Sequence, residues 1–548
     1  MLKSSRGNAG ERPTPAAADW LALSGLLALA AAVRAFAWSR TAVLFNDGPI
    51  FLALADGLRA GRFADVLAHP QHPFYPALVA GLEMLSISPE VAAIAVSIAG
   101  GLLSIGAIFW MAWARFGREV AWISAWVVAL HPWAVDFSSD VMSDGLYAGL
   151  YLTSFALLVD LVERPSGRRA MAFGILTAFA FWTRPEALGL VVVAVLCLAW
   201  RASTTPEERG RLVRSAGVFL TVCALLVGVL RFSEARSGEG FALTQKKSIA
   251  QLAQGGPSPE ELALDRQLRR AAREDPRTLP LPEGSIRADG LGIDRPERSL
   301  GGLVDAIGRV LRTSLAAFRY ELLVFASLGL FAVGARGLRD RRAFEVVLWV
   351  SLAVHTGLLV LLVWGAGYVS RRHALAAWLP LCAFAALGWT VLRAKLESIF
   401  DAPGRSGGFS TRVSRFRGRM SGGVLIAFLM LSWGPRDLRE RRADRALERV
   451  AAEWLKESQH AIGPVAAQKG RTAYYAGAPF VPIPDGRDGQ IERQLRGRGA
   501  RWLIIDAAKL GDHHGLAEGI GRWLEPIHSE RAGAQEILVL ELIEAPAR

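Results

Sequence analysis

The sequence predicts a mainly α-helical, polytopic membrane bundle of about 11 spans, followed by a small C-terminal α/β domain outside the membrane. Of the 548 residues, 52% are hydrophobic and only 21% are charged, and the mean hydropathy is +0.28. Apolar runs long enough to cross a bilayer recur along most of the chain. Together these observations are typical of a membrane protein with many spans.

The membrane region extends over residues 19–434 and divides into apolar segments. Segments 170–183 and 187–200 are short for a full crossing and meet at TRPEA, so they predict either two crossings or a paired, re-entrant feature. Segment 421–434 is also short. The predicted spans are 19–38, 91–114, 119–135, 142–163, 170–183, 187–200, 215–231, 313–335, 344–367, 374–392 and 421–434.

The charge of the connecting loops predicts the orientation of the bundle. The N-terminal tail and the short loops on one side hold 23 Lys and Arg residues, and the short loops on the other side hold six, with the long segment 232–312 left out of the count. Because Lys and Arg are retained in the cytoplasm, the N-terminus is predicted to be cytoplasmic and residues 435–548 extracytoplasmic. Residues 1–18 then form a cytoplasmic tail, predicted to be disordered, and loops 39–90 and 232–312 lie outside. Much of the formal net charge of +13 is this loop charge, which argues against nucleic acid as a partner.

Residues 435–548 differ in character from the membrane region. An amphipathic helical segment, RDLRERRADRALERVAAEWLKES, precedes four short apolar runs of strand type, GPVAAQ, PFVPI, RWLIID and EILVLEL. The segments IERQLRGRG and AEGIGRWLE between these runs have a helical pattern. This alternation predicts a small α/β domain.

Ionisable and polar side chains gather in four loops on the predicted outer face. Because charged groups are costly at membrane depth, a set of them on one face favours a functional interpretation. The candidates are Asp47, Asp56, His69, His72 and Tyr75 after the first span; Asp136, Asp140 and Asp144 in HPWAVDFSSDVMSDGLY; Arg184 and Glu186 in WTRPEAL; and Tyr368, Arg371, Arg372 and His373 in GYVSRRHAL.

This combination of carboxylates and guanidinium groups suits chemistry on a phosphate-bearing lipid. Arginine forks bind phosphate oxygens through two parallel hydrogen bonds, and a carboxylate can take the proton of an incoming hydroxyl. A single charge at a helix end is commonly only an anchor at the membrane interface. Four loops that converge on one face predict a catalytic surface.

The order of the motifs resembles the GT-C superfamily of membrane glycosyltransferases. The resemblance rests on an Asp after the first span, followed by HPQHPFYP, HPWAVDFSSDVMSDGLY, FWTRPEALGL and YVSRRHALAAWLPL. It covers about residues 19–434 and is greatest to the bacterial glycosyltransferase 39/83-like branch, which includes proteins similar to protein mannosyltransferases and lipid A aminoarabinose transferases. It implies a multi-pass protein of the bacterial inner membrane.

The resemblance implies roles for three acidic residues. The acid of the first external loop, the catalytic base or acceptor-orienting group of the family, corresponds to Asp47. Many members have an Asp-Glu pair there, whereas this chain has Asp47 followed by Gly48. A second acidic position corresponds to either Asp140 or Asp144, and the sequence leaves that choice open.

The resemblance also implies a set of groups that bind the donor phosphate. These are Arg184 of TRPE together with Arg371, Arg372 and His373, where His373 replaces the usual aromatic residue. Residues His69, His72, Tyr75, Glu186 and Tyr368 are further candidates for the loops that contact substrate.

The implied reaction transfers a hexosyl or pentosyl group from a polyprenyl-phosphate donor to a hydroxyl of a glycan, lipid or protein, with inversion. No cofactor is assigned, and participation of a divalent cation stays open because related mechanisms work with and without one. The alternative is a transporter or flippase, which predicts charges deep within the spans and repeat symmetry. A non-catalytic scaffold would explain the α/β domain but not the converging acids and arginines.

Overall fold

The computed structural model describes residues 14–69, 71–236, 300–335, 342–400, 422–458, 463–484 and 488–543. A helical bundle followed by a small sheet domain confirms the predicted fold class. Most of the predicted tail 1–18 lies outside the described residues. The same holds for residues 237–299, the main part of the predicted loop 232–312.

The bundle begins with eleven helices within residues 14–69 and 71–236 and continues with six more from residue 300 onward. The first group comprises α1 Ala17–Ser39, α2 Gly48–Arg59, α3 Phe63–Ala68, α4 Phe74–Glu83, α5 Pro89–Phe116, α6 Arg118–Leu130, α7 Pro132–Ser138, α8 Asp144–Glu163, α9 Gly167–Thr183, α10 Leu188–Thr204 and α11 Arg209–Arg236. The second comprises α12 Leu300–Phe318, α13 Tyr320–Ala335, α14 Arg342–Ala366, α15 Arg371–Trp378, α16 Leu381–Phe400 and α17 Gly422–Asp437.

Six helices of the described chain are long and apolar enough to cross a membrane, and three bent pairs raise the number to nine. Two of the predicted spans are bent at a proline: α6 and α7 meet at 57° before Pro132, and α15 and α16 meet at 59° around Pro380. Proline removes a helical hydrogen-bond donor, and it disfavours helical geometry in the residue before it, which is extended at His131 before Pro132. The predicted span 313–335 is in fact a part of α12 and α13, which meet at 89° at Arg319, where φ is +76°.

The central helix α8 is held close to α5 by glycines. A Cβ at Gly100 would lie 2.3 Å from Cα of Leu146, and one at Gly149 would lie 2.4 Å from the carbonyl oxygen of Gly100. Small residues allow helix backbones to approach closely, which is the usual way that membrane helices pack. The close fit fixes the start of α8, where Asp144 stands.

The predicted loop 39–90 contains three short helices, α2 to α4. Asp47 is the residue immediately before α2, and its side chain makes no capping hydrogen bond to that helix. The fully buried Tyr75 of α4 donates its hydroxyl to the carbonyl of Ala93 at 2.9 Å and lies 3.0 Å from the Ser97 hydroxyl oxygen. The loop is therefore fastened to α5 and presents Asp47 at one end of the bundle.

The C-terminal domain is a five-stranded sheet of order β2-β1-β3-β5-β4 that packs against helices. Strands β1 to β3 are parallel, and β5 lies antiparallel between β3 and β4. Its elements are α18 Ala446–Glu457, β1 Val465–Ala467, α19 Gly470–Tyr475, β2 Phe480–Pro482, α20 Asp488–Gly497, β3 Trp502–Asp506, α21 His514–Gly519, β4 Leu524–Ala532 and β5 Gln535–Leu542.

The helix predicted over AEGIGRWLE, residues 517–525, is wrong beyond its first three residues. Helix α21 ends at Gly519, Gly521 has a φ of +77°, and Leu524 begins β4. A side chain at position 519 would collide with the Trp523 indole, at 2.5 Å from a ring carbon, so the chain turns sharply there. Strand β4 was not predicted because it lies at the edge of the sheet and carries mostly polar residues.

Candidate active site

A polar cleft opens at the end of the bundle that carries the C-terminal domain. Three separate stretches supply charged groups to it: the residue before α2, the junction between α9 and α10, and the start of α15. The lining residues are Asp47, Phe51, Gln71, His72, Ser143, Thr183, Arg184, Pro185 and Arg372. The structure therefore brings together Asp47, His72, Arg184 and Arg372 from the sequence-predicted set.

Asp47 and Arg372 form an ion pair across the cleft. Arg372 Nη1 donates to Asp47 Oδ2 at 2.6 Å, and the two side chains are 13% and 12% exposed. The Arg372 guanidinium also lies over the Phe45 ring, 5.3 Å from its centre. A charged hydrogen bond in a largely desolvated place is strong and directional, so it fixes the carboxylate of Asp47 relative to α15.

A second charged group is built on Arg184, which also lines the cleft. Its Nη1 donates to Asp144 Oδ1 and its Nη2 to Glu186 Oε1 at 3.2 Å, and its guanidinium lies 5.7 Å from the centre of the Tyr147 ring. Arg184 Nε is buried and has no hydrogen-bond partner among the described residues. Because an unpaired buried donor is costly, this nitrogen is suited to a ligand oxygen.

The cleft is nearly balanced in charge. Arg184 and Arg372 face the carboxylates of Asp47, Asp144 and Glu186, which leaves one formal negative charge in excess. Burying ions is costly unless they are paired and hydrogen-bonded, and this pairing meets that requirement. An anionic ligand could bind the unpaired Arg184 Nε directly, whereas binding to Arg372 Nη1 would displace the Asp47 carboxylate.

Asp140 and Asp144, between which the sequence could not choose, have different surroundings. Asp144 contacts Arg184 beside the cleft, whereas Asp140 lies beneath the loop that leads to Asp47. Asp140 Oδ1 accepts from the backbone N–H groups of Phe45 at 3.3 Å and Val141 at 2.8 Å, and its Oδ2 accepts from Arg442.

Arg371 and Arg372 are neighbours in sequence but diverge in space. The exposed Arg371 lies over the indole of Trp133, 4.4 Å from the ring centre, and Arg436 lies 3.9 Å from the centre of the same ring. Adjacent residues of a helix are about 100° apart, so only one of the two can face the cleft. Arg371 is not a lining residue.

His373 and Tyr368 form a small group at the start of α15. His373 Nδ1 lies 3.0 Å from the Ser370 hydroxyl and accepts from the Ser370 N–H at 3.2 Å, while Nε2 lies 3.3 Å from the Tyr368 hydroxyl. These contacts orient the first turn of α15, from which Arg372 extends. Neither residue lines the cleft.

The two histidines of HPQHPFYP also differ in position. His72 is buried in the cleft wall, with Nδ1 2.5 Å from the carbonyl oxygen of Phe181. His69 Nδ1 accepts from the Gln71 N–H at 3.0 Å and helps to shape the turn. Tyr75 belongs to the core described above.

Within the described ranges, no group of three or more His, Cys, Asp or Glu side chains has the arrangement of a metal site. Asp47 and Asp144, the acids nearest the cleft, are each held by an arginine.

Five lining residues were not among the sequence candidates. They are Phe51, Gln71, Ser143, Thr183 and Pro185. Phe51 lies outside the sequence motifs described above. The other four lie inside them, and each of these four is adjacent to His72, Asp144 or Arg184. Proximity in the motif was the available signal, but uncharged side chains at helix ends carry no chemical pattern of their own.

Residues 68–230 match the protein family described as dolichyl-phosphate-mannose-protein mannosyltransferase. The matched stretch includes His72, Asp144 and Arg184 of the candidate site but ends well before Arg372. No curated protein sequence matches the chain.

Two solved structures are similar to this chain over nearly all of its length. ArnT from Cupriavidus metallidurans, bound to undecaprenyl phosphate, has 13% identity and a TM-score of 0.59, covering 96% of this chain and 98% of that one. The archaeal oligosaccharyltransferase AglB from Archaeoglobus fulgidus, in complex with an inhibitory peptide and a dolichol-phosphate, has 12% identity and a TM-score of 0.55, covering 90% and 70%. Together with the family match, this likeness in fold confirms the predicted resemblance to GT-C membrane glycosyltransferases.

Proposed function

We propose that this protein transfers a sugar from a polyprenyl-phosphate donor to an acceptor hydroxyl, with inversion at the anomeric carbon and Asp47 as the base. The observation that carries the proposal is the cleft itself, in which one carboxylate, Asp47, faces the guanidinium groups of Arg184 and Arg372. The two solved proteins of the same fold are described with a bound polyprenyl or dolichyl phosphate, which supports a lipid phosphate as the ligand here.

The arginines would serve the leaving group. As the bond between the anomeric carbon and the phosphate oxygen breaks, negative charge grows on the lipid phosphate. Arg372 can exchange its bond to Asp47 for a phosphate oxygen, and Arg184 can donate its unpaired Nε. A donor already in place, such as Arg184 Nε, stabilises the developing charge without reorganisation, whereas Arg372 must first leave Asp47.

The same exchange would free the Asp47 carboxylate from Arg372, so that it can act as the base. Once Arg372 has turned to the phosphate, the Asp47 carboxylate accepts the hydroxyl proton while the acceptor oxygen bonds to the anomeric carbon. The proton then leaves Asp47 for solvent, and the phosphate leaves with the electron pair of the broken bond. Asp144 and Glu186 hold Arg184 in place, which makes them positioning residues.

Sidedness follows from loop charge. The cleft lies at the end that carries the C-terminal domain, which the distribution of Lys and Arg assigns to the extracytoplasmic side. We therefore assign the reaction to the outer face of the bacterial inner membrane. The acceptor is a glycan, lipid or protein hydroxyl presented there, and the donor carries a hexose or pentose.

The test is turnover of purified protein with a panel of polyprenyl-phosphate sugars, measured as release of polyprenyl phosphate. Replacing Asp47 by Asn keeps the shape but removes the base, so the rate should fall about 10²- to 10⁴-fold. The matched control is Asp56→Asn, since Asp56 is an exposed acid of α2, the helix that begins directly after Asp47, and pairs only loosely with Arg62 at 3.6 Å. Wild-type turnover by the Asp47→Asn variant would remove Asp47 as base, and no turnover across a broad panel would favour a transporter.

A further inference from the structure

The short segment that leads into Asp47 is held by the C-terminal domain. After α1 ends, residues 40–42 pair with the linker that follows α17. Arg441 donates its N–H to the Arg40 carbonyl at 2.9 Å, and Ala42 donates to the Arg441 carbonyl at 3.0 Å. A chain segment more than 390 residues away in sequence thus forms a small backbone bridge with the entry to the cleft.

The next residue of the linker, Arg442, reaches beneath the loop. Its Nη2 donates to Asp140 Oδ2, and Asp140 Oδ1 accepts from the Phe45 N–H at 3.3 Å. The Phe45 ring has Arg372 at 5.3 Å and Arg442 at 5.8 Å from its centre. Arg442 therefore contacts Asp140, which accepts the Phe45 N–H, and it also contacts the Phe45 ring, as Arg372 does.

Arg442 is one of three described residues other than glycine with a positive φ, at +54°. A side chain with a Cβ is disfavoured in this left-handed region, so the surrounding structure has to hold it there. Such strained residues cluster at functional sites. The left-handed turn directs the chain from the Arg441 bridge into α18.

Helix α19 of the same domain fastens the remaining residues of the segment. The buried Tyr475 hydroxyl accepts from the Leu44 N–H at 2.9 Å, and Arg471 Nη1 donates to Asn46 Oδ1 at 2.9 Å. Burial raises the pKa of Tyr475 to about 12, so its phenol stays neutral at physiological pH. Contacts from the C-terminal domain or its linker thus reach Ala42, Leu44, Phe45 and Asn46, which directly precede Asp47.

We propose that Arg442 is a positioning residue for the glycosyl transfer and that the C-terminal domain completes the active site by fixing residues 42–46. The proposal rests on the proposed function and adds a second domain to it. A displacement of about 1 Å in a reacting group can lower a rate about 10²-fold, so a clamp on the residues before Asp47 bears directly on turnover.

The kinetic test compares Arg442→Gln with Arg439→Gln, the removal of an exposed arginine three residues earlier in the same linker. Arg442→Gln should lower kcat about 10- to 100-fold while the KM for donor changes less than about threefold, and Arg439→Gln should leave both near wild type. Arg442→Lys keeps the charge but not the planar fork and should recover part of the rate. Equal kcat values for Arg442→Gln and wild type would overturn the proposal.

A double-mutant cycle tests the route of the effect. If Arg442 acts through Asp140, then Asp140→Asn should lower kcat by a similar factor, and the Arg442→Gln, Asp140→Asn double variant should be little worse than either alone. Multiplicative losses in the double variant would show that Arg442 does not act through Asp140, and would overturn this role.

Hydrogen exchange separates this proposal from the proposed function, because it needs no turnover. The amides of Leu44 and Phe45, which donate to Tyr475 and Asp140, should exchange at least about fivefold faster in Arg442→Gln, and that of Leu44 also in Tyr475→Phe, but not in Arg439→Gln. Unchanged exchange in both variants would overturn the clamp. A wild type that releases no lipid phosphate but shows this exchange pattern would overturn the proposed reaction and leave the clamp standing.

Discussion

The two ends of helix α8 carry almost the same charged group. Near its last turn, Arg115 pairs with Asp160 at 2.5 Å and Glu163 at 3.3 Å, and at its start Arg184 pairs with Asp144 and Glu186. The arginine side chains are 4% and 7% exposed, so burial does not distinguish them. Each group is one arginine held by an Asp and a Glu.

The two groups differ in whether the arginine has a hydrogen-bond donor that is still available to a ligand. All three nitrogens of Arg115 are engaged, since Nη1 also donates to the Met111 carbonyl at 3.2 Å. Arg184 keeps a buried Nε without a partner among the described residues, and it lines a polar cleft. A buried arginine with two carboxylates is thus not itself a sign of catalysis. The remaining donor and the adjoining cleft make the distinction.

The largest loss of stability should come from breaking the Arg115 group, in which every nitrogen of the arginine is engaged. Arg115→Gln leaves Asp160 and Glu163 without their cation in a buried place, which should lower the free energy of unfolding by about 3–5 kcal/mol. The measurement is denaturant unfolding in detergent micelles. The kcat per folded molecule should stay within about twofold of wild type. A specific loss of kcat would show that Arg115 is not purely structural and would contradict the distinction from Arg184.

Mutation of the Arg184 group, which has an unpaired nitrogen at the cleft, should lower activity more than stability. Arg184→Gln removes donors from the developing phosphate charge, so turnover should fall about 10²- to 10³-fold. Its loss of stability should be smaller than that of Arg115→Gln, because Arg372 remains nearby and its charge interacts with that of Asp144. Paired measurements of kcat and unfolding on both variants check this, and equal destabilisation would contradict it.

Arg371 and Arg372 extend the comparison to neighbours on one helix. Arg372→Lys keeps the charge but loses the planar fork, and it should lower turnover about tenfold. Arg371→Lys changes a side chain that lies over Trp133 outside the cleft, so turnover should remain near wild type. Steady-state release of polyprenyl phosphate measures both, and a larger loss for Arg371→Lys would shift the donor site towards Trp133.

The smallest effect is expected at Tyr75. Tyr75→Phe removes a hydroxyl that bonds to the Ala93 carbonyl and contacts Ser97 within the core. The free energy of unfolding should fall by about 1 kcal/mol, with turnover unchanged. Unfolding and turnover measured side by side are sufficient, and a selective loss of turnover would give Tyr75 a part in the reaction.

The fold could be predicted in large part because it depends on hydropathy and on local chemistry. Long apolar runs predicted the bundle, and the four apolar runs of the C-terminal region appear as β1, β2, β3 and β5. The bends at Pro132 and Pro380 and the edge strand β4 were not predicted. A proline can bend a helix without ending its apolar run, so hydropathy alone does not indicate the bend, and an edge strand with one exposed side lacks a continuous apolar pattern.

The candidate site could be predicted as a set of residues but not as a set of partners. Sequence order and loop charge placed acids and arginines in loops of one face. Only the tertiary structure showed which arginine pairs with which aspartate: Arg372 with Asp47, Arg184 with Asp144, and Arg442 with Asp140. Arg442 had no distinguishing signal, because it lies in the run RDLRERRADR among seven other charged residues.

The sequence by itself determined that this chain crosses a membrane many times, carries a small α/β domain after the bundle and gathers ionisable groups in particular loops. Hydropathy and loop charge are sums over local residues, so they can be read without knowing the fold. The tertiary structure alone decided which arginine faces the cleft, which aspartate is an anchor and that the C-terminal domain holds the approach to Asp47. Those outcomes depend on helix rotation and on contacts between residues hundreds of positions apart, which no local pattern encodes.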